Sequence, residues 1–146
     1  MNVKFLNPFV DAAHEILKFE THESVSRGEL RLDSGSYSTD DVTVIISLVG
    51  AVDGTVFYSM SKEVAIGLAS TLMGEKFETL DRLAQSGIAE LGNVITGQAS
   101  MKLAAAGYES NISTPSLLIG RSPFKVKVPA SISSRALPLG LNPISS

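Results

Sequence analysis

From Leu80 to Ala106 the sequence keeps a helical apolar rhythm without interruption, and a helix of that length must find a core for one of its sides. At roughly 100° per residue, Leu80, Ala84, Ile88, Leu91, Ile95 and Ala105 fall on one stripe, with Leu83, Val94 and Met101 along one edge. This is the side expected to be buried. Beyond that edge, Ser86, Ala89, Glu90, Asn93, Gly97 and Ser100 share an arc of about 100°.

Exposed helix positions ordinarily carry long side chains such as Lys, Glu, Gln and Arg, which lose little rotamer freedom and stay solvated. This arc holds small residues, one acid and one amide. Gly87, Gly92 and Gly97 each cost up to about 1 kcal/mol relative to alanine in a helix interior. Close approach of another backbone is a physical reason to accept that penalty. By spacing alone, Glu90 and Asn93 also fit a solvated face or a local hydrogen-bonded pair.

The rest of the chain reads as short elements that this helix can cover. Asn7-Pro8 starts a helix over residues 8 to 21: the Asn side chain accepts from free amides, and Pro has its φ preset. Glu29 to Asp33 is a candidate short strand. Val42 to Val49 and Thr55 to Met60 are better ones, joined as a hairpin by Ala51-Val52-Asp53-Gly54. Ser61 caps a helix with Val64, Ala65, Leu68 and Leu72 on its apolar side, and Gly74 stops it. Thr79 is the candidate cap of the long helix, which Gly107 ends. Tyr108 to Ile119 returns to the sheet with Pro115 at an edge or bulge, and Phe124 to Val128 alternates as a further strand. The expected fold is α+β, a mainly antiparallel β-sheet with long helices packed on one face, in a single domain spanning residues 1–146.

Glu90-Leu91-Gly92-Asn93 followed by Gly97 resembles the E-x-x-N helix of the CheC/CheX/FliY family, which dephosphorylates the chemotaxis response regulator CheY. The likeness runs from about Asn2 to about Arg121 and includes Asn7-Pro8-Phe9, Asp53-Gly54-Thr55-Val56 and Met73-Gly74. Two-site members carry a second acid and amide on the first helix. Here Glu15 is followed three residues later by Lys18, so the chain resembles the single-site CheX branch. CheX also implies a strand-exchanged homodimer. The tail from about residue 129 departs from that pattern, because Pro129, Pro138 and Pro143 each lack a ladder donor.

The resemblance implies catalytic roles for Glu90 and Asn93. An aspartyl phosphate is an activated acyl phosphate whose hydrolysis needs mainly a water held in line. A carboxamide both donates and accepts, so Asn93 can hold that water. Glu90 can pair with a cationic side chain of the partner and fix its register, since a glutamate is a weak general base near neutrality. No cofactor of its own is expected, and the phosphorylated partner would bring Mg²⁺. The alternative is a non-catalytic CheX-like module that binds a receiver domain or assembles with itself.

Other functions find no support. A net charge of −3 without a basic cluster does not suit nucleic acid. The absence of cysteine removes disulfides, thiolate metal sites and a Cys nucleophile. No secretory h-region and no apolar run of about 20 residues is present, so the expected setting is the cytoplasm, away from a membrane. His14 and His22 lack ligand spacing, and no metal site is assigned. Asp40-Asp41 raises a receiver-type acidic pocket, but strands clustered as hairpins do not build that alternating fold.

Overall fold

The computed structural model describes residues 5–22, 37–121 and 123–124. Its elements are helix α1 (Asn7–Thr21), strands β1 (Tyr37–Ser38), β2 (Val42–Gly50) and β3 (Gly54–Met60), helices α2 (Lys62–Met73) and α3 (Arg82–Ala105), and strands β4 (Ser110–Ile112), β5 (Ser116–Ile119) and β6 (Pro123–Phe124). Strand β2 is the spine of the main sheet. It pairs antiparallel with β3 on one side and with both β4 and β5 on the other, while β1 and β6 form a separate antiparallel pair. The α+β architecture expected from the sequence is the one observed. The expected strands over Glu29 to Asp33 and beyond Phe124, and the tail from about 129, lie outside the described residues.

The strand pattern explains the core. Val42, Val44, Ile46 and Leu48 recur with period two along β2, as strand geometry requires for one face. Their register partners Met60 and Tyr58 on β3 are buried with them. The return strand breaks around Pro115, which supplies no ladder donor. Ser113 bridges the break, donating its backbone N–H to the Ser47 carbonyl at 2.9 Å and accepting from Ser47 N–H through its hydroxyl at 2.9 Å.

Helix α3 lies on this face, and α1 and α2 pack against α3. Helix α1 runs antiparallel to it, since Phe5 stacks edge-on against Tyr108 at 4.9 Å while Glu15 reaches Gln98 and Lys102. Asn7 does not cap α1. Leu6 occupies the cap position with no side-chain bond, and Asn7 already belongs to the first turn. For α2, Ser61 accepts from Val64 N–H and Gly74 closes the end at φ 63°, a left-handed value that suits glycine.

The start of α3 corrects the sequence reading. Asp81, not Thr79, is the cap, with its carboxylate accepting from Ala84 N–H at 2.9 Å, and Leu80 stands before the helix. The connection from α2 is fixed by buried Phe77, whose N–H donates to the Ser70 hydroxyl at 3.0 Å. That anchor sets where the chain can turn into α3. Asp81→Ala is expected to cost about 1 kcal/mol of unfolding free energy, read as a lowered urea midpoint; an unchanged midpoint would show that the cap is dispensable.

Candidate functional site

Helix α3 buries Ala84, Ile88, Leu91, Gly92, Ile95, Thr96, Ala99 and Leu103. This face is turned by about 60° from the stripe read in the sequence, toward Gly92 and Thr96. Ala105 is exposed, and the expected edge of Leu83, Val94 and Met101 is 47%, 41% and 70% exposed. Large aliphatics biased the reading. Gly92 meets Val44 and Tyr58, and Thr96 meets Tyr58, and their small size lets the helix backbone approach the sheet there.

Gly92 marks the closest approach. A Cβ placed there would lie 2.7 Å from Val44 Cγ1, closer than packed carbons come, and 3.2 Å from Val44 Cβ, tighter than most such contacts. Of the three glycines singled out, this one has a structural reason on the core side. Gly97 has nothing within 4 Å of such a Cβ, and Gly87 meets the Met73 sulfur at 3.0 Å.

Turned away from the sheet, Glu90 and Ser86 are exposed, and Ala89, Asn93, Gly97 and Ser100 are half-buried. The small-residue arc thus forms an outer face of α3. Glu90 and Asn93 stand one turn apart on it, where residues three apart have Cβ atoms about 5–6 Å from each other. Neither side chain makes a hydrogen bond or ion pair with another described residue, and they do not bond each other. Among the described residues, nothing engages the Glu90 carboxylate or the Asn93 carboxamide. Leu83, Val94 and Met101 lie within about 40° of Glu90 around the helix axis, with Val94 the nearest, one turn on.

The corresponding acid of α1 is engaged otherwise. Glu15 accepts from Lys102 Nζ and Gln98 Nε2, each at 3.1 Å, and these bonds, the Lys102 one first, hold its carboxyl below the usual carboxylate range. Lys18, three residues after Glu15, is exposed. Asp41 is engaged too, accepting from Arg121 Nε and the Lys62 N–H, each at 2.9 Å; the Arg121 bond comes first in depressing its pKa. It clasps β2, α2 and the end of β5. His14 and His22 are exposed, and among the described residues no group of three or more His, Cys, Asp or Glu is placed to hold a metal ion. No helix among them is long and apolar enough to cross a membrane.

Two residues beneath the outer face had not been singled out from the sequence. Tyr58 on β3 and Thr96 on α3 are fully buried with their hydroxyls 2.8 Å apart, and the Thr96 hydroxyl donates to the Gly92 carbonyl at 2.7 Å. Burial pushes the Tyr58 phenol well above its ordinary pKa, against a smaller opposing effect of the Thr96 bond. It therefore remains a protonated donor. The available signal was a threonine four residues after a helical glycine, a spacing that permits side-chain back-bonding.

An open antiparallel sheet thus lies under helices, and the longest of them carries on its outer side an acid and an amide with no partner among the described residues. Residues 42–139 match the family described as chemotaxis phosphatase CheX. The chain belongs to that family. It is 29% identical over 128 residues to the CheY-P phosphatase CheX of Thermotoga maritima, covering 87% of this chain and 82% of that protein. Among solved structures, a CheC-like superfamily protein from Shewanella sp. PV-4 superposes with a TM-score of 0.76 at 29% identity, over 84% of this chain and 80% of that one. The crystal structure of a CheX–CheY–BeF3–Mg complex from Borrelia burgdorferi matches at 0.71 and 29% identity, over 82% and 79%.

Proposed function

We propose that this chain hydrolyses the aspartyl phosphate of a CheY-like response regulator, with Asn93 holding the attacking water and Glu90 anchoring the partner. The observation that carries this reading is a pair of polar side chains, without a partner among the described residues, one turn apart on the outer face of a helix seated on the sheet at Gly92. Membership of the chemotaxis phosphatase CheX family and likeness to a CheX–CheY complex support the reaction and the partner. A rigid helix is a suitable carrier, because hydrolysis by water positioning tolerates little displacement.

In the mechanism, the receiver brings its phosphoaspartate against α3. Glu90 accepts a charged hydrogen bond from a cationic side chain of the receiver and fixes the register. Val94, four residues from Glu90 on the same side of the helix, packs on the receiver beside that bond, and exposed Leu83 and Met101 extend the contact along the helix. The Asn93 carboxamide then accepts from a water and aligns its oxygen with the phosphorus opposite the carboxylate leaving group. The P–O bond to the aspartate breaks, and the products are the free carboxylate and inorganic phosphate. Mg²⁺ belongs to the receiver, whose charge compensation it supplies. The same proposal includes a cytoplasmic setting and the homodimer that the family resemblance implies.

The test is phosphate release from a phosphorylated CheY-type regulator with Mg²⁺, with and without this protein. Acceleration by the wild type is expected. Binding without acceleration would instead establish a receiver-binding module. Glu90→Ala is expected to raise KM about tenfold or more, the effect of one lost charged hydrogen bond, with kcat largely kept. Leu83→Ser combined with Met101→Ser should weaken docking in the same sense, and an unchanged KM in both variants would remove this face from the interface.

A further inference from the structure

Beneath the proposed site runs a chain of two buried hydroxyls that ends on one peptide group. The Thr96 hydroxyl gives its proton to the Gly92 carbonyl at 2.7 Å, so the 2.8 Å contact with Tyr58 has the phenol as donor. The sequence of bonds is Tyr58 O–H to Thr96 O–H to Gly92 C=O. Each bond polarises the next in a surrounding of low dielectric. The carbonyl that receives them belongs to the peptide joining Gly92 to Asn93.

The same residue is held from below by packing. A Cβ at Gly92 would touch Val44 Cγ1 at 2.7 Å and Tyr58 Cδ2 at 3.5 Å, so the backbone rests on one side chain of β2 and one of β3. Contact fixes the height of the Gly92–Asn93 peptide over the sheet, and the hydroxyl chain fixes the tilt of its carbonyl. Ser and Thr back-bonding to the carbonyl four residues earlier often bends a helix slightly. Here the bend would fall at the residue that carries the carboxamide.

Packing alone does not require these hydroxyls. Phe and Val would fill closely similar volumes without desolvating polar groups, and replacing both partners of a buried hydrogen bond by apolar groups of the same shape can be nearly neutral for stability. What the apolar pair lacks is direction. We infer that Tyr58 and Thr96 are positioning residues, whose linked hydroxyls orient the peptide preceding Asn93 and thereby set where its carboxamide meets the water.

The inference rests on the catalytic role proposed for Asn93, and the test separates the two. Single-turnover and steady-state phosphate release are measured with a CheY-type regulator phosphorylated by acetyl phosphate in the presence of Mg²⁺. The proteins compared are wild type, Asn93→Ala, Tyr58→Phe, Thr96→Val, Thr96→Ser and the Tyr58→Phe/Thr96→Val double variant, with thermal melts of each. A sub-ångström displacement predicts a kcat lowered about tenfold in the double variant, with KM within about twofold of wild type, since the docking surface is untouched. Thr96→Ser keeps the hydroxyl and restores kcat. A double variant that melts as a folded protein and turns over at the wild-type rate overturns the inference, as does a rise in KM with kcat retained. Should the double variant not fold, Tyr58→Phe alone decides by the same kcat criterion. An active Asn93→Ala would overturn the catalytic reading itself, whereas an inactive Asn93→Ala beside fully active hydroxyl variants overturns only the positioning role.

Discussion

Asn93→Ala is expected to reduce phosphate release from the phosphorylated regulator by about a hundredfold or more, while the affinity for that regulator changes little. The split follows from the work assigned to the side chain. A carboxamide that orients water acts only as the reaction proceeds, so its removal lowers kcat without a matching change in binding. Asn93 is half-buried on a helix whose Gly92 backbone rests on Val44, so alanine leaves the helix and its docking face in place. Asn93→Asp makes a useful companion, since it keeps size but replaces the donor with a negative charge facing a phosphoryl group. It should be at least as impaired. An Asn93→Ala protein with the wild-type rate would leave the site without its chemistry.

A second large effect is expected at Gly92. In an ordinary helix interior, Gly→Ala stabilises by up to about 1 kcal/mol, because alanine restricts the unfolded chain. Here the new Cβ would sit 2.7 Å from Val44 Cγ1. Val44 is fully buried and branched at Cβ, so it cannot turn aside cheaply. Overpacking of this kind costs about 1–3 kcal/mol, reversing the usual sign. The strain can be relieved only by lifting α3, which displaces Asn93 in the same movement, and a loss of kcat should accompany the loss of stability. Gly97→Ala provides the contrast, having open space around its Cβ. It should raise the urea midpoint, by about 0.5–1 kcal/mol of free energy. A Gly92→Ala protein more stable than wild type would refute the close approach.

Much of this fold was legible because it depends on local rules. The period-two run from Val42 to Leu48, the Ser61 cap and the Gly74 stop each reflect geometry decided within a few residues. The pair Glu90 and Asn93 stood out for another reason: its surroundings were too small and too glycine-rich for an ordinary solvated helix. Tertiary contacts governed what was missed. Asp81 capped α3 in place of Thr79 because Phe77 anchors the preceding loop, a contact with no local signature. Leu83, Val94 and Met101 were placed at the core edge by hydrophobicity, which does not distinguish a core from an interface. Thr96 and Tyr58 lie far apart in sequence, and only the fold brings their hydroxyls together.

The clamp on Glu15 has a consequence for signalling arithmetic. A chain with anchors on both helices can engage two regulators, and its output then depends on whether the second arrival helps or hinders the first. In this chain Lys102 and Gln98 bond the α1 carboxylate, and on the proposed reading Glu90 is the anchor that remains. On that reading each chain then offers one site at which a phosphoryl group is lost. Signal lifetime would then be a graded function of how many copies a cell makes.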